Sequence, residues 1–188
     1  MKIITLLGSA KKKGNTATVL GWVEKELQQT GHDVERINLN DKSINGCLGC
    51  AKCREYPAEI ACVQNDDAIG ILERMIACDS VLFASPIYFW GFSAQLKALI
   101  DRCYSLVTNY DKPGHTSLME GKRIGLLVTG AGAYEDNAEC MFIVFDRIVD
   151  FLLARNSGEL YVGECSTSAE MPKAVRIKAV ELARSIVD

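Results

Sequence analysis

The stretch Gly8-Ser9-Ala10-Lys11-Lys12-Lys13-Gly14-Asn15-Thr16 decides how this chain is read. An apolar run, residues 3–7, leads into it, and an amphipathic pattern, residues 16–29, leaves it. The order is strand, small polar and basic loop, helix start. Such a junction aims backbone N–H groups and the positive end of a helix dipole at one spot, where an anion can sit. Ser9 and Thr16 bring hydroxyl donors, Asn15 an amide, Gly14 close backbone approach, and Lys11 or Lys12 positive charge. The loop lacks the Gly-Lys-Ser/Thr ending of a triphosphate-binding loop and the G-x-G-x-x-G turn of dinucleotide binders. It holds no cysteine nucleophile, and no acidic pair follows the strand. What remains is a cradle for a monophosphate. A solvated basic turn, with Asn15 or Thr16 as helix N-cap, would use the same residues.

Outward from that loop the pattern alternates. A helix is predicted over residues 15–30, stopped by Gly31, and a second strand over 34–39. A Gly- and Cys-rich loop runs from Asn45 to about Asn65. Asp66 and Asp67 can cap a helix through Ala77, with Ile69, Leu72, Met75 and Ile76 on one face. The third strand falls at 80–84. The next helix falls at 93–107, with Leu96, Leu99, Ile100 and Cys103 as its apolar stripe. A fourth strand at 123–128, a helix at 137–154, a short fifth strand at 159–162 and a closing helix at 173–187 complete the order. Strands alternating with helices imply a parallel sheet covered on both faces. Strands one, three and four are nearly unbroken apolar runs, as doubly buried strands require. The expectation is an α/β fold: a doubly wound, five-stranded, flavodoxin-like parallel sheet of order 2-1-3-4-5, forming one domain over residues 1–188. Ligands bind such sheets beyond the carboxyl ends of the strands, so the loops after strands one, three and four are the ones to follow.

Composition narrows the classes. Apolar residues at 48% and charged residues at 24% fit an ordinary globular chain of 188 residues. The formal net charge is −3 with both signs interspersed, which argues against a nucleic-acid surface. Met1-Lys2 precedes only five apolar residues, too few for a secretion signal, and no run approaches the ~20 residues of a membrane span. A cytoplasmic location is expected. Eight cysteines are many for a reducing compartment, where metal or redox chemistry outranks a disulfide framework. Cys47, Cys50, Cys53 and Cys62 cluster, whereas Cys78, Cys103, Cys140 and Cys165 are scattered and read as small core residues.

The loop after strand three, Ala84-Ser85-Pro86-Ile87-Tyr88-Phe89-Trp90-Gly91-Phe92-Ser93, carries four aromatics in five positions. Flat rings on a backbone stiffened by Pro86 suit a flat aromatic ligand such as isoalloxazine, and Trp90 or Phe92 could equally serve an interface. The loop after strand four, Thr129-Gly130-Ala131-Gly132-Ala133-Tyr134, is small enough for a ring system to lie against it. A monophosphate and a flat ring bound at one sheet edge describe flavin mononucleotide, FMN. The spacing Cys47-x2-Cys50-x2-Cys53 presents soft thiolate ligands, and Cys62 is the fourth that a 4Fe-4S cluster needs. Structural zinc, a CxxC redox pair and cysteines without metal share that spacing.

GSAKKKGNT, CLGCAKC and SPIYFWGFSAQLKALIDR, in this order, resemble the NADPH-dependent FMN reductase family and its iron–sulfur flavoprotein branch, over roughly residues 1–135. The resemblance implies a flavodoxin-like fold and bound FMN. Ser9, Lys11, Gly14, Asn15 and Thr16 would lie at the phosphate, and Pro86, Ile87, Tyr88 and Phe89 along the isoalloxazine. Thr129, Gly130 and Gly132 would complete the pocket. It implies electron flow from NAD(P)H through FMN to a small acceptor such as a flavin, quinone or nitro compound. The alternative is an electron carrier with a 4Fe-4S cluster on Cys47, Cys50, Cys53 and Cys62, serving a redox protein. A homodimer or homotetramer is implied, with neither nucleic acid nor membrane as partner. Where the family often has Arg in the basic loop this chain has Lys, which keeps charge without the bidentate fork. Eight residues separate Cys53 from Cys62, Pro57 among them. Lys97 and Asp101-Arg102 match the family as well and read as structural helix residues. No nucleophile–His–acid set is present; His32 and His115 read as surface groups, and residues 108–119 as a lid or interface loop.

Overall fold

Successive residues of the first strand bury into different cores, and that alternation builds the molecule in three layers. The structure, a computed structural model, describes residues 1–56, 59–164 and 171–188. Pro57 and Cys165 lie outside the described residues. Strand β1 (Lys2–Leu7) sends Ile4 and Leu6 to one face and Ile3 and Leu7 to the other. Beside it lie β2 (Asp33–Asn38), β3 (Ser80–Pro86), β6 (Arg123–Thr129) and β7 (Arg155–Val162). Two short strands, β4 (Val107–Thr108) and β5 (Thr116–Ser117), form a separate antiparallel hairpin between β3 and β6 in the chain. The main sheet runs β2-β1-β3-β6-β7 and is parallel throughout. In order of the five long strands this is 2-1-3-4-5, as expected.

Helices α1 (Asn15–Gln29) and α5 (Lys173–Val187) cover one face through Val19, Leu20, Val23, Leu182 and Ile186. Helices α2 (Asp67–Ala77), α3 (Ala94–Arg102) and α4 (Glu139–Phe151) cover the other, where Ile71, Leu96 and Phe145 meet Val81, Phe83 and Leu126. Phe83 and Phe145 stand edge to face at 6.2 Å, a favoured aromatic arrangement. Burying side chains of this size contributes roughly 1.5–3 kcal/mol each, so the two faces account for the sheet's stability.

Several boundaries differ from the sequence expectation, each for a local reason. Helix α1 is not capped by Asn15 or Thr16; its N-cap is Gly14, with no side-chain cap bond. Asp66 does cap α2, its carboxylate accepting from the Ala68 N–H at 3.1 Å. The helix expected at 93–107 is α3 capped by Ser93, then a 3-10 turn at Cys103–Leu106, after which Val107 enters β4. Strand β7 begins at Arg155 rather than 159, because the sheet is bulged between Ile124 and Leu126. Gly158 absorbs the extra residue at φ +129°, a conformation that only glycine adopts freely. That irregularity broke the alternation by which a strand is recognised. Cys78 and Cys103 are buried as expected, but Cys140 is exposed on α4; the sheet-facing positions there belong to Met141, Phe142 and Phe145.

Candidate functional site

Main-chain bonds fasten the three carboxyl-edge loops together. The Gly8 N–H donates to the Ala84 carbonyl at 2.8 Å, the Ile87 N–H to Thr129 at 2.8 Å, and the Gly130 N–H to Val162 at 3.0 Å. Between the first and third loops, the Thr16 and Thr129 hydroxyls meet at 2.7 Å, both buried. Ser9 is also buried, and its hydroxyl oxygen accepts the Lys11 N–H at 3.1 Å. A turn closed by the Gly14 N–H on the Lys11 carbonyl, 3.1 Å, lifts Lys12 and Lys13 away from the strand. Lys12 then pairs with Asp41 at 2.8 Å. The uncapped start of α1, Ser9 and Lys11 therefore stand together at the predicted phosphate position.

The second loop is a tight hairpin turn. Tyr88 and Gly91 exchange two backbone bonds of 3.1 Å, and the residues between them, Phe89 and Trp90, have φ of +48° and +58°. Positive φ at both central positions is the pattern that Asn-Gly normally supplies. Two aromatics held there are strained, a condition that concentrates at functional sites. Phe89 is 96% exposed, and Tyr88 and Trp90 are exposed beside it. Phe92, for which the sequence allows an interface as one of two readings, is buried in the core. The third loop is packed from the β7 side. The space left by Gly130 is occupied within the protein, since a Cβ there would stand 2.7 Å from the Tyr161 hydroxyl. A Cβ on Gly132 would meet Asn137 at 3.3 Å. Tyr161 donates to the Gly132 carbonyl at 2.7 Å and so braces the loop from β7. Tyr161 carried no signal in the sequence, because it lies 29 residues from the Gly132 carbonyl it holds.

In the loop after β2, Cys47, Cys50, Cys53 and Cys62 line one cavity of about 450 Å³, together with Arg102, Tyr104 and Gln64. The Gly49 N–H donates to the Cys47 sulfur at 3.4 Å. Burial raises the Cys53 thiol above its ordinary range, and the neighbouring Cys62, Cys47 and Cys50 add to that rise. The scattered thiols differ: burial, with a smaller push from the Asp101 charge, raises Cys103 to about 12, where it is chemically inert. Among the described residues no three Cys, His, Asp or Glu side chains converge to hold a single metal ion. A four-iron cluster attaches each thiolate to a different iron, so its ligands surround a volume rather than a point.

The loop joining β4 to β5 meets the cysteine loop. Arg54 of the cysteine loop pairs with Asp111 at 3.0 Å and lies over the Tyr110 ring at 5.1 Å. Tyr110 packs on Tyr104 and Phe151, and His115 on Phe151. His115 is thus half-buried, with Nε2 lacking a partner among the described residues, rather than a plain surface group. Lys97 and Asp101 form an exposed pair of 2.6 Å on α3, whereas Arg102 beside them is buried.

Residues 1–148 match the family described as NADPH-dependent FMN reductase. The chain belongs to that family. Among its relatives, an iron-sulfur flavoprotein of Archaeoglobus fulgidus is 36% identical over 132 residues, covering 70% of this chain and 56% of that protein. One from Methanocaldococcus jannaschii is 40% identical over 102 residues, covering 54% and 51%. The chain thus spans about half the length of the curated relatives it matches. The fold superposes on an FMN-dependent NADH-azoreductase of Bacillus anthracis, in complex with FMN, with TM-score 0.66 and 13% identity, over 99% of this chain and 97% of that one. At that identity the likeness speaks to the fold alone. Among the described residues no helix is long and apolar enough to cross a membrane.

Both family groups find suitable chemistry. At the sheet edge, a helix start without a side-chain cap and Lys11, which forms no ion pair among the described residues, fit an FMN phosphate. In the cavity, four thiols and an amide-to-sulfur bond fit a cluster.

Proposed function

We propose that this protein is a single-domain FMN oxidoreductase with a 4Fe-4S cluster in its cysteine cavity, relaying electrons between NAD(P)H and a redox protein or small acceptor. One observation carries the reading: Cys47, Cys50, Cys53 and Cys62 line the same cavity although eight residues separate the last two. The names of the archaeal relatives support it. FMN exchanges two electrons as hydride, and an iron–sulfur centre exchanges them singly. Ser9, Lys11, Gly14, Asn15 and Thr16 would hold the phosphate through the start of α1. Pro86, Ile87, Tyr88 and Phe89 would border the isoalloxazine, and Thr129, Gly130 and Gly132 would fix the third side. Lys11 is preferred to Lys12 for the phosphate, because Lys12 is paired with Asp41. A homodimer or homotetramer is proposed to cover the exposed Trp90, Ile143 and Val144.

The exposed rings of the Tyr88–Gly91 turn favour a second reading, direct reduction of a flat acceptor such as a flavin, quinone or nitro compound without a cluster. Anaerobic purification with flavin, iron and sulfide assays separates the two. The first reading expects FMN and about four irons per chain. Flavin without iron, combined with steady NADPH oxidation in the presence of a quinone, selects the second. Absence of FMN sinks both.

A further inference from the structure

Arg102 lies in the wall of the cysteine cavity and is only 1% exposed. A guanidinium has five N–H donors and needs partners for them when buried. Nη1 donates to Asp66 at 2.8 Å and to the Asn45 carbonyl at 3.2 Å, and Nη2 to the Gln64 carbonyl at 3.5 Å. Nε is buried and has no hydrogen-bond partner among the described residues. Asp66 cannot devote its charge to Arg102. One carboxylate oxygen accepts the Ala68 N–H, and the other is shared with the Asn45 N–H and side-chain amide. A guanidinium is not deprotonated in proteins, so Arg102 keeps its charge although it is buried. A fixed positive charge with an unused donor therefore borders a cavity lined by four thiols.

On the proposed reading that this cavity holds a 4Fe-4S cluster, we propose that Arg102 balances the negative charge of the thiolate-bound cluster and raises its reduction potential. A cluster with four thiolates is anionic and gains a further negative charge with each electron taken up. Local charge and hydrogen bonds to sulfur are the protein's means of setting that potential. Asp66 acts in the opposite sense, by partly neutralising Arg102.

The full chain, reconstituted anaerobically with iron and sulfide, provides the test through an EPR-monitored redox titration of the bound cluster. Iron content and circular dichroism are measured alongside. Asp66→Asn leaves Arg102 uncompensated and is expected to shift the one-electron equilibrium about tenfold toward reduction, or about 59 mV upward. The double variant Arg102→Met, Asp66→Asn removes the pair without stranding a charge and is expected to shift it about tenfold the other way. Arg102→Lys keeps the charge and should stay near the starting potential. Unchanged potentials with iron retained overturn the proposal. So do shifts of one sign in both Asp66 variants, which a purely structural disturbance would give. Loss of iron from a still-folded Arg102→Lys protein also overturns it, because charge is then not what matters. If the unsubstituted protein takes up no iron, the cluster reading itself fails and the proposal falls with it.

Discussion

At the carboxyl edge of the sheet the loops are joined mainly by main-chain bonds, Gly8 to Ala84, Ile87 to Thr129 and Gly130 to Val162. Around the cysteine cavity the order comes mainly from side chains. Asp66 and Gln64 bind backbone groups of Asn45 and Gly46, Arg102 binds Asp66, and Arg54 reaches Asp111. The only regular element described within residues 45–65 is the 3-10 turn Lys52–Glu55. The first region inherits its geometry from the strands that enter it. The second depends on a few long-range partners, each of which matters more.

The largest expected effect follows from that dependence. Arg102→Met leaves Asp66 buried and unpaired, and should destabilise the fold by about 3–5 kcal/mol in urea titrations. A loss below about 1 kcal/mol would place the pair among the weak surface ones. At the sheet edge, Lys11→Ala should weaken FMN binding by about 1.5–3 kcal/mol, as for a lost charge-assisted bond. Lys12→Ala, already paired with Asp41, should do much less. Equal losses, measured by flavin fluorescence titration, would remove the distinction between the two lysines.

Packing tests the same contrast. A Cβ at Gly8 would stand 2.7 Å from Ser93 Oγ and 2.9 Å from Leu96 Cβ, whereas one at Gly46 meets nothing within 4 Å. Gly8→Ala should cost roughly 1–3 kcal/mol by thermal denaturation, and Gly46→Ala close to nothing. The smallest effect concerns acid. Burial raises the Asp66 carboxyl, but bonds from Arg102, Asn45 and Ala68 outweigh it and hold it below its ordinary value of 3.8. Its folded value is depressed, so its contribution is full above the ordinary value. It fades as the pH falls below that value and through the lowered one. Asp66→Asn should remove at most about one proton's worth of slope from the stability profile below pH 4.

The sequence was most legible where chemistry and chain neighbours coincide. The apolar runs of β1, β3 and β6, the loop residues 8–16 and the Cys-x2-Cys-x2-Cys spacing were all read locally. The start of β7 was missed because the Gly158 bulge interrupts its alternation. Cys140 was misplaced because one cysteine on an amphipathic helix does not reveal which way it faces. Tyr161 and the Thr5–Glu24–Arg36 group, in which buried Thr5 donates to Glu24 at 2.5 Å, were invisible for the same reason. Their partners lie on other elements.

By itself, then, the sequence determined the doubly wound sheet, the three loops at its carboxyl edge and the types of donor available at each. Those follow from periodicity and short-range backbone chemistry, which neighbouring residues dictate. Only the tertiary structure decided that Lys12 belongs to Asp41, that Tyr161 fills the space beside Gly130, and that Arg102 lies beside the cysteines. These are choices of partner across the packed layers. A side chain's charge and burial take their meaning from what the fold brings against it.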